Sequence, residues 1–142
     1  MYGSLDISTS GMTAQRTRMA AIAANIANRS TILDEKGNVN PYRARHVIFE
    51  PGDPSATTAE GRSLGVHVSA IELDKGEFNY RWDPTSPYAI KKGEKQGYVP
   101  EPNINPVIEQ LNAMEASRAY EANVVAAETT KQMMAQALRL LA

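Results

Sequence analysis

The sequence predicts an α+β fold: long N- and C-terminal helices that pack as a coiled coil, with a small β-rich middle domain. Three observations carry this. Met12 to Lys36 contains neither glycine nor proline, and neither does Val107 to Ala142. The stretch between, Gly37 to Pro106, holds all eight prolines, seven of the nine glycines and seven of the nine aromatics. Apolar residues in both outer parts recur at helical spacing, and those in the middle alternate. The expected divisions are 1–31 (N-terminal helix), 32–102 (middle) and 103–142 (C-terminal helix).

The C-terminal helix is the strongest element. Val107, Leu111, Met114, Tyr120, Val124, Ala127, Met134, Leu138 and Leu141 form an apolar stripe over about ten turns, roughly 55 Å. Asn105 supplies a capping oxygen, and Pro106 at the first helical position gives up only an N–H that would be unpaired anyway. At the other end Leu5, Met12, Met19 and Ile26 stand at strict seven-residue spacing, with Ser8, Gln15 and Ile22 as a companion row. A seven-residue repeat marks a helix that winds on a partner helix. Gly11 costs about 1 kcal/mol relative to alanine, so the helix is expected from Met12 to Asn28, its start open between Ser4 and Ser10. Asn28 to Thr31 is its exit, with Asn28 suited to the left-handed conformation.

In the middle, Asp34 to Asn38 reads as a turn and Tyr42 to Glu50 as a strand. Gly65 to Asp74 is a second strand, whose apolar alternation slips by one residue and predicts a bulge near Ser69 or Ala70. Glu77 to Trp82 is a third. Asp83 to Pro102 is turn-rich and carries a basic loop, Lys91 to Lys95. Such strands make a small sheet at most.

Composition removes several function classes. A net charge of −1 leaves no electrostatic footprint for nucleic acid. There is no run of 18 apolar residues for a membrane span, and no basic–apolar–small order at the N-terminus for a cleavable signal. With no cysteine, disulfides and thiol catalysis are out. His46 and His67 fall inside predicted strands without acidic or cysteine neighbours at ligand spacing, so they read as strand residues rather than metal ligands. Asp34 to Asn38 lacks the alternating oxygens of a calcium loop. No phosphate loop or nucleophile elbow occurs. Glu115, Glu121 and Glu128 fall at three-residue steps from Arg118 or Lys131, the pattern of a solvated or rim face. The expectation is no enzyme, no cofactor and no small-molecule substrate.

What stands out is a mismatch. The C-terminal helix also carries Val125, Met133 and Leu140 off its main stripe, and nine alanines from Val107 onward. A helix apolar on more than one side needs more than one neighbour. The residues expected at an assembly interface are Leu5, Met12, Met19, Ile22, Asn25 and Ile26 in the first helix. In the second they are Leu111, Met114, Tyr120, Asn123, Val124, Met134, Leu138 and Leu141. Asn25 and Asn123 are expected to set register by side-chain hydrogen bonds.

Three stretches resemble flagellar rod and hook axial proteins, the proximal rod subunits in particular. Ala23-Ala24-Asn25-Ile26-Ala27-Asn28 is similar to their N-terminal signature. Pro41-Tyr42-Arg43 with Val47-Ile48-Phe49 is similar to the stretch that follows it. Gly97-Tyr98-Val99, Pro102-Asn103-Ile104-Asn105 and Glu115 to Asn123 resemble the C-terminal signature. The resemblance implies a structural subunit of the basal-body rod, exported through the flagellar type III apparatus without a cleaved signal. It implies polymerisation in the periplasm with other proximal and distal rod subunits, next to the junction with the membrane ring. The terminal helices would then surround the export channel in a shaft that transmits torque. Independently of the resemblance, long helices draw most of their stability from packing, so both termini are expected to be poorly ordered in the free subunit and rigid on assembly. The competing readings are the other small proximal rod subunit, and a helical adaptor or chaperone that binds one partner.

Overall fold

The longest helix begins where Asn105 and Pro106 place it. In the computed structural model, which describes residues 2–141, helix α3 spans Pro106–Leu141. Asn105 Oδ1 accepts the Val107 N–H at 3.0 Å, closing one of the free donors of the first turn. The other long helix, α1, spans Tyr2–Ala27. It therefore runs straight through Gly11 and begins earlier than its glycine suggested.

Between them lie strand β1 (Arg45–Pro51), the short helix α2 (Ala59–Leu64), and strands β2 (Val66–Leu73), β3 (Asn79–Trp82) and β4 (Tyr98–Glu101). The architecture is the expected α+β one. β1 pairs antiparallel with β2, and β3 antiparallel with β4, as two separate two-stranded ribbons. The bulge is present. Ile48 faces Ala70 and Phe49 faces Val68, which leaves Ser69 as the extra residue.

Some local expectations are corrected. β1 starts at Arg45 because the residues before it are committed elsewhere. Tyr42 N–H donates to Thr31 O, and the Arg43 guanidinium donates to Asp74 O and Gly76 O while lying 4.3 Å over the Phe78 ring. No non-glycine residue described here has positive φ, so Asn28 does not end α1 in the left-handed conformation. Its Nδ2 donates instead to Ala24 O, and Thr31 Oγ1 donates to its Oδ1. β4 escapes a propensity reading because Pro100 lies inside it, next to the wholly buried Val99, and Pro102 follows directly after it. The Asp34 turn closes as expected, with Oδ1 accepting from Lys36 N and Asn38 N at 2.9 Å each.

α2 is held to α1 by one carboxylate. Thr58 caps α2, its Oγ1 accepting the Gly61 N–H at 3.1 Å. Asp6 Oδ2 on α1 in turn accepts from Thr58 Oγ1 at 2.7 Å, Thr58 N at 2.9 Å and Thr57 Oγ1 at 3.0 Å. Gly3 and Gly61 let the helices close up. A Cβ at residue 3 would lie 2.7 Å from Glu60 Cβ, and one at residue 61 would lie 2.8 Å from Asp6 Cβ.

The Thr58 hydroxyl, then the Thr58 N–H and the Thr57 hydroxyl, hold the Asp6 pKa below its ordinary 3.8. A depressed carboxylate contributes stability above the unfolded value and loses it as pH falls through the folded one. The urea midpoint of the native chain should therefore exceed that of Asp6→Asn at neutral pH, and the gap should narrow as pH drops below about 4. A gap constant down to full acid denaturation would contradict this tether.

Candidate functional site

The two long helices meet along a seam of small and polar residues. Ser4, Gly11, Arg18 and Asn25, at seven-residue spacing on α1, face Thr130, Asn123, Glu115 and Glu109 on α3. Partner numbers fall as α1 numbers rise, so the helices are antiparallel. Ser8, Ala116 and Ala127 are buried along the seam, and Ala14 and Ala21 are buried on the flank of α1 beside the β1–β2 ribbon. At Gly11 the backbone approaches so closely that a Cβ would lie 2.8 Å from Asn123 Nδ2 and Oδ1. This glycine is thus a packing requirement, which outweighs its helix-propensity cost.

Asn25 is the centre of the arrangement, 1% exposed. Its Oδ1 accepts from Arg45 N at 2.8 Å and Tyr42 Oη at 3.2 Å. Its Nδ2 donates to Arg45 O and to Glu109 Oε2, both at 3.1 Å. A primary amide has two donor hydrogens and two acceptor lone pairs, and all four are used. One side chain therefore joins α1, α3, strand β1 and the segment leading into it. The buried Glu109 carboxylate is held on α3 by the same amide.

The structure distributes the predicted interface residues unevenly. Ile22 and Asn25 are buried inside the single chain. Leu5, Met12, Met19 and Ile26 lie one position beyond the seam row on α1 and are half-buried. Tyr120, Asn123, Val124 and Met134 are half-buried on α3, while Leu111, Met114, Leu138 and Leu141 are exposed, Leu141 by 85%. Asn123 turns its amide to its own helix, donating to Ala119 O at 2.8 Å. Val125, Met133 and Leu140, outside the main stripe, are exposed as well. α3 has 36 residues against the 26 of α1, so its last turns run past the Ser4–Thr130 contact with Leu138, Leu140 and Leu141 in the open.

Sequence reasoning missed Glu109, Tyr42, Arg45 and the packing use of Gly11. The available signal was the row Ser4, Ser8, Gly11, Gln15, Arg18, Ile22, Asn25, whose steps alternate four and three without a break. Ser8, Gln15 and Ile22 of this row stand out as companions of the apolar heptad and Asn25 as a register residue, whereas Ser4, Gly11 and Arg18 carry no apolar signal. The acidic residues of α3 are also corrected: no ion pair to Arg118 or Lys131 forms among the described residues. Glu115 pairs across the helices with Arg18 at 3.1 Å.

Chemistry-bearing groups do not converge. His67 Nδ1–H donates to Gly52 O at 2.6 Å, and His46 stands exposed on β1. Among the described residues no three His, Asp or Glu side chains gather as a metal site, and no helix is long and apolar enough to cross a membrane.

Removing the central amide strands the Glu109 carboxylate, the Tyr42 hydroxyl and both backbone groups of Arg45. Asn25→Ala should therefore lower stability by about 3 kcal/mol, at the upper end for a lost buried network. Gly11→Ala should destabilise, and less so in an Asn123→Ala background, where the added methyl has room. Urea denaturation of the native chain, the three single variants and the Gly11→Ala, Asn123→Ala double variant checks both; an unchanged Asn25→Ala midpoint would refute the role assigned to this residue.

Comparison with known proteins agrees with the geometry. The family described as flagella basal body rod protein matches residues 5–31, and that described as flagellar basal body rod FlgEFG protein C-terminal matches 95–140. These are the two ends that form the helical pair. Among curated relatives, the flagellar basal-body rod protein FlgC of Borreliella burgdorferi is 38% identical, over 99% of this chain and 97% of its own. The FlgC protein of Bacillus subtilis is 35% identical, over 98% and 97%. That of Escherichia coli O157:H7 is 37% identical, over 95% and 93%. With relatives at 35–38% identity matched over nearly the whole chain, this chain belongs to the FlgC family of flagellar basal-body rod proteins.

Proposed function

We propose that this chain is a rod subunit that polymerises through the outward faces of its terminal helices. One observation carries the proposal: the seam within a chain is built mainly from small and polar residues, with Ile22 its one large apolar member, while most large apolar side chains of α3 are left exposed. Leu111, Met114, Val125, Met133, Leu138, Leu140 and Leu141 are all at least half exposed. A stable monomer would place them inside. Packed against neighbours, the helices of many copies would form a tube around an export channel, with the β ribbons (32–102) outside. Such a tube, joined to other rod subunits and to the membrane-ring junction, would transmit torque.

The role proposed is structural rather than enzymatic, and needs no cofactor. Delivery is through the flagellar type III apparatus to the periplasm, without a cleaved signal. The small-residue seam contributes little apolar area of its own, and long helices in water draw most of their stability from packing. The helices of the free subunit are therefore weakly held and tighten on assembly. Circular dichroism of a dilute monomer should show lower helicity than the assembled rod; full, cooperatively melting helicity in the monomer would oppose this.

Leu138→Asp tests the assembly surface. The side chain is 67% exposed, so the variant should match the native urea midpoint and still be exported. It should fail to enter rods, leaving cells non-motile. Normal rods and swimming would sink the proposal.

A further inference from the structure

Trp82 is the bulkiest side chain in the sequence, yet it stands 61% exposed on β3. It is nonetheless fixed in place. Its ring meets Tyr98 edge-on, with centroids 4.9 Å apart and planes at 67°. It also lies across residue 97, where a Cβ would come within 2.6 Å of the indole. Gly97 is required there twice over, since its φ is +84°. Beside the ring opens a cleft of about 590 Å³ lined by Pro84, Pro87 and Ile90. Lys91 lines the same cleft and Lys92 follows it; both are exposed, and neither forms an ion pair among the described residues. A rigid aromatic platform with two adjacent cations suits an apolar ridge that carries carboxylates.

The chain displays such a ridge. On α3, Met114, Glu121, Val125 and Glu128 recur at seven, four and three residues, on the side of the helix away from the α1 seam. All four are exposed. Glu121 has only a 3.4 Å hydrogen bond from Ser117 Oγ, and neither Glu121 nor Glu128 has an ion pair among the described residues. The two carboxylates stand about 10 Å apart along the axis with Val125 between them.

We infer that the Trp82 platform of one copy docks on the Met114–Glu128 ridge of α3 in a neighbouring copy. The indole covers Val125, and Lys91 and Lys92 meet Glu121 and Glu128. The inference rests on the proposed assembly and adds a contact between the β ribbons and a neighbour's helix. Platform and ridge are different surfaces, so the contact is heterologous and propagates from copy to copy instead of closing a two-fold dimer. Exposed ion pairs contribute little energy. The buried indole supplies the affinity, and the lysines select the register.

The chain has no cysteine, which makes cross-linking clean. Subunits carrying both Pro87→Cys and Ala122→Cys, oxidised in isolated basal bodies, should give a ladder of covalent dimers and higher species, and either single variant should give none. Lys91→Glu with Lys92→Glu should lower the ladder yield at least fivefold, and adding Glu121→Lys with Glu128→Lys should restore it. Trp82→Ala should abolish the ladder; because it also loses the Tyr98 contact and with it some stability, the Lys91→Glu, Lys92→Glu chain, which should keep the native urea midpoint, separates docking from folding. Monomers alone from the double-cysteine chain, or a reversal with no loss or no rescue, would overturn the inference. If Leu138→Asp still blocks rod entry in that case, helix-mediated assembly stands and only this contact falls. A charge-swapped ladder with normal rods from Leu138→Asp would mean the reverse.

Discussion

The fourfold hydrogen bonding of Asn25 is the interaction on which the rest of the structure depends. In a low-dielectric interior an unpaired amide is costly, and a half-satisfied network is worse than none. Asn25 avoids that cost only if α1, α3, Tyr42 and Arg45 are all in place at once. The amide thereby converts two helices and a strand into one geometry with one register. Leucine at this position would bind the same elements more loosely, because apolar contact has no direction.

A division of labour follows. Residues that select geometry are small or polar and lie inside the chain: Gly11 against Asn123, Asn25 against Glu109, Asp6 against Thr58. Residues that supply apolar area, such as Leu111, Met114 and Leu138, lie outside. Ordinary globular domains assign these tasks the other way round. The inversion makes physical sense if most of the subunit's stabilisation comes from other chains, with the internal contacts needed only to present the right surfaces.

Much of this was legible in the sequence, for identifiable reasons. Both long helices announce themselves through the absence of glycine and proline after Gly11 and Pro106, and the Ser69 bulge through a one-residue slip in alternation. The importance of Asn25 was readable as a polar residue on a repeating helix face. What stayed hidden depends on tertiary contact. Glu109 looks like an ordinary first-turn acid until it is found beneath Asn25. α2 is six residues long and is held by a cap and a distant carboxylate, neither of which a local pattern reveals. Of the seam row, Ser8, Gln15, Ile22 and Asn25 were legible, while Ser4, Gly11 and Arg18 stayed hidden because apolar periodicity does not mark small and polar contacts.

The unequal lengths of the two helices have a geometric consequence. One end of the pair is flush, with Asn25 and Glu109 sealing it, and the other ends in a ledge of α3 bearing Leu138, Leu140 and Leu141. A brick with one stepped end has a head and a foot. Stacks of it point in one direction, and the free end that displays ledges differs chemically from the one that displays sealed hubs. A column built this way has a built-in arrow, and growth at its two ends need not be equivalent.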